Sequence, residues 1–223
     1  MSISYGNPVL LRISNRVGLF GVMLLTLSPL LAAVAYRGDA GESFSFLTHT
    51  LSELGRYEVS QLALLVNGGL FFGGLSLVVA FVTRLWLVSG VGFQAAMYLC
   101  NIVLALSITA VGLFPVNVGR LHIDAMLFFY LMTFICGVLY CTALWRHPPS
   151  RLGLIPAMIA GGLGLSAFCK EERDLLLMDR YAFGLFGADR PNLWWPAFEG
   201  WLMLLFVGIW LLFALSVIER ADN

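Results

Sequence analysis

The chain has 223 residues, 60% of them hydrophobic and 12% charged, with 13 basic against 13 acidic residues and a formal net charge of zero. A soluble domain carries roughly 25% charged residues, so this composition, with a mean hydropathy of +0.88, excludes an ordinary water-covered globule. The basic residues are scattered, which excludes nucleic acid as a partner, because that needs a patch able to neutralise phosphates.

Six apolar runs predict an all-α membrane bundle in a single domain, with spans at roughly 17–36, 61–83, 88–114, 123–145, 152–169 and 197–218. The spans must be helices, since lipid offers no partner to an open strand edge and the runs lack the alternation of a β-barrel. Arg12 and Arg16 precede the first run, and Ala33-Val34-Ala35 resembles a small-residue cleavage site. The run is nonetheless long enough to cross a bilayer, so it is read as a retained span rather than a signal peptide.

The first link carries the segment 43–55, which predicts a short amphipathic helix. Leu47, Leu51 and Leu54 fall on one face at helical spacing, while His49 and Glu53, four apart, share another. Gly55 is well placed as its C-terminal cap. Span two contains the GxxxG step Gly69 to Gly73, and span five contains Ala157, Gly161 and Gly164, small residues that let helices approach closely. Asn67 in span two, with Gln94 and Asn101 in span three, places amides in apolar helices and predicts interhelical hydrogen bonds. A tight turn is expected around Arg84. Pro115 ends span three, and His122 and Asp124 open span four. The paired prolines Pro148 and Pro149 end span four, and the neighbouring His147 reads as a solvated interface residue. A long polar link over 170–196 precedes span six, where Glu199 lies among Trp194, Trp195 and Trp201, an expected interfacial aromatic belt. The cysteines Cys100, Cys136, Cys141 and Cys169 all lie in apolar stretches without a CxxC pair, and read as buried thiols.

Orientation follows from basic residues in the short segments. With both termini cytoplasmic, Arg12, Arg16, Arg84, Arg146, Arg151 and Arg220 lie inside, and Arg120 alone falls in a short outer link. All the acidic residues except Glu219 and Asp222 then fall on the outer side, together with His49 and His122.

These outer residues support three chemistries. Carboxylates and imidazoles could simply tie the first link to the bundle. His49, Glu53 and His122 with a further carboxylate could hold zinc, although no HExxH motif is present. Alternatively Ser52, Thr48 or Thr50 could act as nucleophile, with His122 as base and Asp124 or Glu53 orienting it. Asn67, Glu199 and Trp195 are candidates for contacting a lipid substrate.

The ordered set Leu51-Ser52-Glu53-Leu54-Gly55, Val66-Asn67-Gly68-Gly69-Leu70, Gly112-Leu113-Phe114-Pro115 and His122, seven positions after that proline, resembles the prokaryotic membrane family called domain-of-unknown-function 998. The resemblance covers roughly 17–218 and is least clear over 170–196. It implies a prokaryotic plasma-membrane protein. Through a distant similarity to the DRAM and Sfk membrane proteins and a lipid-remodelling factor for GPI anchors, it also implies a lipid-linked role. It supplies no catalytic assignment, and marks Ser52, Glu53, Asn67 and His122 as motif positions only.

The functional expectation is a membrane protein that binds or processes a lipid at the outer face, as hydrolase or acyl transferase. The alternatives are a scaffold subunit of a membrane complex, with a protein partner or a second copy, and a small transporter. The near-absence of mid-span ionisable residues speaks against the transporter.

Overall fold

The computed structural model describes residues 7–38, 41–88, 92–145, 153–182 and 191–216. Its helices are α1 (Pro8–Ala35), α2 (Leu51–Leu54), α3 (Ala63–Leu87), α4 (Phe93–Leu113), α5 (Arg120–Trp145), α6 (Leu154–Ala182) and α7 (Trp195–Ser216), with a 3-10 turn at Val116–Val118. Five of these are long and apolar enough to cross a membrane, and α6 contributes a shorter apolar stretch over Leu154–Lys170. The protein is an all-α, multi-pass membrane bundle.

Two helices run nine residues or more beyond the spans expected from hydropathy. α1 begins at Pro8 rather than near residue 17, because Asn7 caps it, accepting from the Val9 N–H at 3.0 Å, and Pro8 occupies the first turn, where its missing N–H costs nothing. α6 continues past residue 169 to Ala182. Its charged run Lys170-Glu171-Glu172-Arg173 is too polar for lipid, yet consists of good helix formers. The expected link from 170 onward is therefore helical in its first part. The turn containing His147 and the paired prolines, and the cytoplasmic candidates Arg146, Arg151 and Arg220, lie outside the described residues.

Consecutive long helices pack in sequence, α1 on α3, then α4, α5, α6 and α7, and α7 returns to α1, closing a ring. Lipid tails are as apolar as leucine, so this packing depends on close van der Waals contact more than on expulsion of water. Small residues supply it at the crossings. At the α1–α3 contact, a Cβ on Gly21 would stand 2.7 Å from the Gly73 carbonyl oxygen. At the α3–α4 contact, a Cβ on Gly112 would run into the Phe71 amide. Gly137 faces Gly161 between α5 and α6. Leu25, Leu77, Phe81, Leu104, Leu144 and Leu211 fill the fully buried interior.

The ring has two polar ends. At one lie the start of α1 and the ends of α3 and α7. At the other lie the starts of α3, α5 and α7, covered by the long α1–α3 link. Arg84 is no turn residue, as the sequence suggested. The helix continues to Leu87, and the Arg84 side chain is 0% exposed. Its Nε donates to Ser14 Oγ at 3.1 Å, Nη1 to the Ala214 carbonyl at 3.3 Å, and Nη2 to Asn15 Oδ1 and the Leu215 carbonyl. The guanidinium thus joins α7 backbone carbonyls to α1 side chains and fastens both helices to α3. Asn101, expected to bond between helices, donates instead to the Met97 carbonyl of its own helix at 2.8 Å.

Candidate functional site

The α1–α3 link is mostly irregular and lies over the second polar end. The amphipathic helix expected over 43–55 shrinks to one turn, α2, because Thr50 starts the helix anew. Thr50 Oγ1 accepts from the Glu53 N–H at 3.2 Å, and Glu53 Oε1 accepts from the Thr50 N–H at 2.9 Å, a reciprocal capping box. His49 thus precedes the cap and does not share a helical face with Glu53. Its Nδ1 accepts from the Ser45 N–H at 3.2 Å and lies 3.0 Å from Thr48 Oγ1. The remaining nitrogen, Nε2, is 4.0 Å from Glu42 Oε1, and the ring packs among Tyr36 and Phe44.

Four further contacts fasten the link to the ring. Trp194 donates its N–H to the Leu47 carbonyl at 2.8 Å. Trp201 donates its indole N–H to the His49 carbonyl at 2.9 Å. Asn67, from the first turns of α3, donates to the Gly55 carbonyl at 2.8 Å. A Cβ on Gly55 would come 2.5 Å from Asn67 Oδ1, so the glycine is demanded by this close approach. Its φ of −86° is open to any residue.

The fourth contact joins a hydroxyl to an imidazole. Ser52, half-buried on α2, has its Oγ 2.9 Å from Nε2 of His122 at the start of α5. His122 is 7% exposed, and its Nδ1 lies 2.7 Å from the Phe114 carbonyl oxygen. A carbonyl can only accept, so Nδ1 carries the proton and Nε2 is left as an acceptor for the Ser52 hydroxyl. The Phe114 carbonyl is available because α4 ends there: Pro115 cannot prolong the helix, and the next turn's bond runs from the Val118 N–H to the Pro115 carbonyl. The order is hydroxyl, imidazole, acceptor, the arrangement in which a base can take a proton from a nucleophile while a third group holds its tautomer.

The carboxylates named from sequence do not fill that third place. Asp124 is exposed. It is two residues from His122 on the same helix, so the two side chains diverge. Glu53 is buried and spends its Oε1 on Thr50. Glu199 is 2% exposed and receives Lys170 Nζ at 2.7 Å, joining α7 to α6, and that ammonium also stands 5.7 Å over the exposed Trp195 ring. Asn67, Glu199 and Trp195 are thus separate fixtures of the same end. His49, Glu53 and His122 do not converge, and among the described residues no group of three His, Cys, Asp or Glu is arranged to hold a metal ion. The four cysteines are free thiols, with Cys169 exposed.

Sequence reasoning missed Phe114, since a backbone acceptor has no residue type to notice. Its signal was present in the proline that follows, which marks a helix end with spare carbonyls. No family model, curated protein or solved structure matches the chain, so the family resemblance rests on the quoted motifs.

Proposed function

We propose that this protein is a membrane-embedded serine hydrolase or acyl transferase acting on an ester-linked lipid at the outer membrane face. The observation that carries the reading is the alignment of Ser52 Oγ, His122 Nε2, His122 Nδ1 and the Phe114 carbonyl. In the first step Ser52 Oγ bonds to the ester carbonyl carbon while its proton passes to Nε2. The Phe114 carbonyl accepts from Nδ1 throughout and steadies the imidazolium. Collapse of the tetrahedral adduct breaks the carbon–alkoxide bond, Nε2 returns the proton to the departing alcohol, and an acyl-Ser52 remains. Water or a second alcohol, deprotonated by Nε2, then releases the acyl group.

A lipid substrate is favoured by the flanks of His122. Leu113, Val118 and Leu121 are all about half exposed, so the segment that supplies both the base and its acceptor presents apolar surface beside the site. Membership of the family named above would accord with this reading and is part of the proposal.

The test uses purified protein in mild detergent and a long-chain alkyl fluorophosphonate, which phosphonylates activated serines with loss of fluoride. Intact mass and peptide mapping should show one adduct, on Ser52, absent from Ser52→Ala and from His122→Ala, with both variants folded. Equal labelling of wild type and His122→Ala, or no adduct on Ser52, sinks the reading.

One observation favours a second, non-enzymatic reading: Asn67 and Trp201 already fasten the same link to the ring through its backbone carbonyls. A scaffold whose Ser52–His122 contact is purely structural would lose thermal stability in His122→Ala and never react with the probe.

A further inference from the structure

The segment bearing Ser52 meets the segment bearing His122 at a second point. Five residues after Ser52, the Tyr57 N–H donates to Asn117 Oδ1 at 2.9 Å, and Asn117 Nδ2 donates to the Tyr57 carbonyl at 3.4 Å. Asn117 lies five residues before His122, within the turn that follows Pro115. One side-chain amide thus pairs with both polar groups of a single residue, as a neighbouring strand would. Only backbone atoms of Tyr57 take part, so the identity of that side chain is irrelevant to the clamp.

The next residue shows what the clamp opposes. Glu58 has a φ of +78°, and among the described residues it is the single non-glycine with positive φ. An exposed glutamate has no intrinsic reason to adopt this conformation, which costs any side chain with a Cβ. The chain leaving α2 is bent sharply at Glu58 and held against its own preference. The Tyr57–Asn117 pair lies immediately before the bend, and the Ser60 N–H to Arg56 carbonyl bond at 3.0 Å closes it from the other side.

We infer that Asn117 is a positioning residue for the Ser52–His122 pair, setting the distance between nucleophile and base through its clamp on Tyr57. The inference rests on the proposed serine chemistry. Without the clamp, Glu58 relaxes to negative φ and Tyr57 moves with it, while α2 keeps its cap, the Asn67 bond and the buried Leu54 but loses the contact that sets its approach to the His122 segment. Proton transfer from a serine to a histidine tolerates little displacement, and a misplacement of about 1 Å can cost roughly a hundredfold in rate.

The experiment measures phosphonylation of Ser52 in the full-length protein by the same alkyl fluorophosphonate, separating the maximal rate from the concentration giving half of it. Asn117→Leu, similar in volume and unable to hydrogen-bond, should lower the maximal rate about tenfold or more with the half-saturating concentration unchanged. Asn117→Asp keeps the oxygen that accepts from Tyr57 but sets a second acceptor against the Tyr57 carbonyl, and should fall between wild type and Asn117→Leu. Glu58→Gly, combined with Asn117→Leu, should recover part of the loss, because glycine has no penalty at positive φ. Tyr57→Ala should be silent. If Asn117→Leu does not fold, Asn117→Ala reads the same quantity. Wild-type rates in these leucine or alanine variants overturn the inference and leave the serine chemistry standing. An unreactive Ser52 in the wild type removes both.

Discussion

At the Arg84 end of the ring, a permanently charged side chain is sealed from solvent and surrounded by acceptors from α1 and α7. At the Ser52 end, a neutral hydroxyl and a neutral imidazole meet at 2.9 Å on a link that is half-buried. Both ends use backbone carbonyls, but to different effect. Ala214 and Leu215 give theirs to a donor that ties three helices together. Phe114 gives its own to an imidazole whose second nitrogen is thereby left basic. A buried guanidinium cannot lose its proton, so the first end can only hold. An imidazole with one nitrogen committed can still take and return a proton at the other. Backbone carbonyls thus serve stability at one end and, on the proposed reading, chemistry at the other.

This contrast is open to breakage. The largest effect is expected for His122→Asn, whose amide nitrogen can still donate to the Phe114 carbonyl while no base faces Ser52. Ser52 phosphonylation should fall by about a thousandfold or more, with the unfolding temperature little changed. Comparable reactivity in this variant would erase the distinction between the two ends. Next in size is Arg84→Leu, which removes the charged hydrogen bonds to Ser14, Asn15 and the α7 carbonyls. The loss should be roughly 3 kcal/mol or more, measured by denaturant unfolding in detergent, with the Ser52 reaction rate per folded molecule unaltered. A slowed Ser52 in a stable Arg84→Leu protein would mean that the ends are coupled. Smaller still is Gly55→Ala. Its methyl group collides with Asn67 Oδ1, so about 1–3 kcal/mol of stability should be lost. Because α2 shifts with it, Ser52 reactivity should fall as well, and unchanged kinetics would show that Asn67 does not help to place the nucleophile.

Legibility in the sequence divides along the same line. The long helices follow from hydropathy because each apolar run meets a local requirement of lipid, whatever its neighbours do. Even the early start of α1 was written in Asn7-Pro8. Ser52 and His122 stood out as residue types in polar links, yet nothing in their spacing brings residues 52 and 122 together. That contact arises because α3 and α4 form an antiparallel pair that returns the chain to the same end. The carboxylates misled for a physical reason: an acidic group was expected to hold the imidazole, whereas Glu53 was claimed by its own helix cap and Asp124 turned outward. Arg84 misled likewise, since a lone arginine between two apolar runs reads as a loop until the helix is seen to continue past it.

What the sequence by itself determined is therefore the material of the protein: apolar helices, small residues at their crossings, a proline that ends α4 and a polar link carrying a serine. The tertiary structure decided which donors and acceptors meet. Ring closure turns the ends of distant helices toward each other, and backbone carbonyls, which no residue letter records, then give Arg84 and His122 their partners.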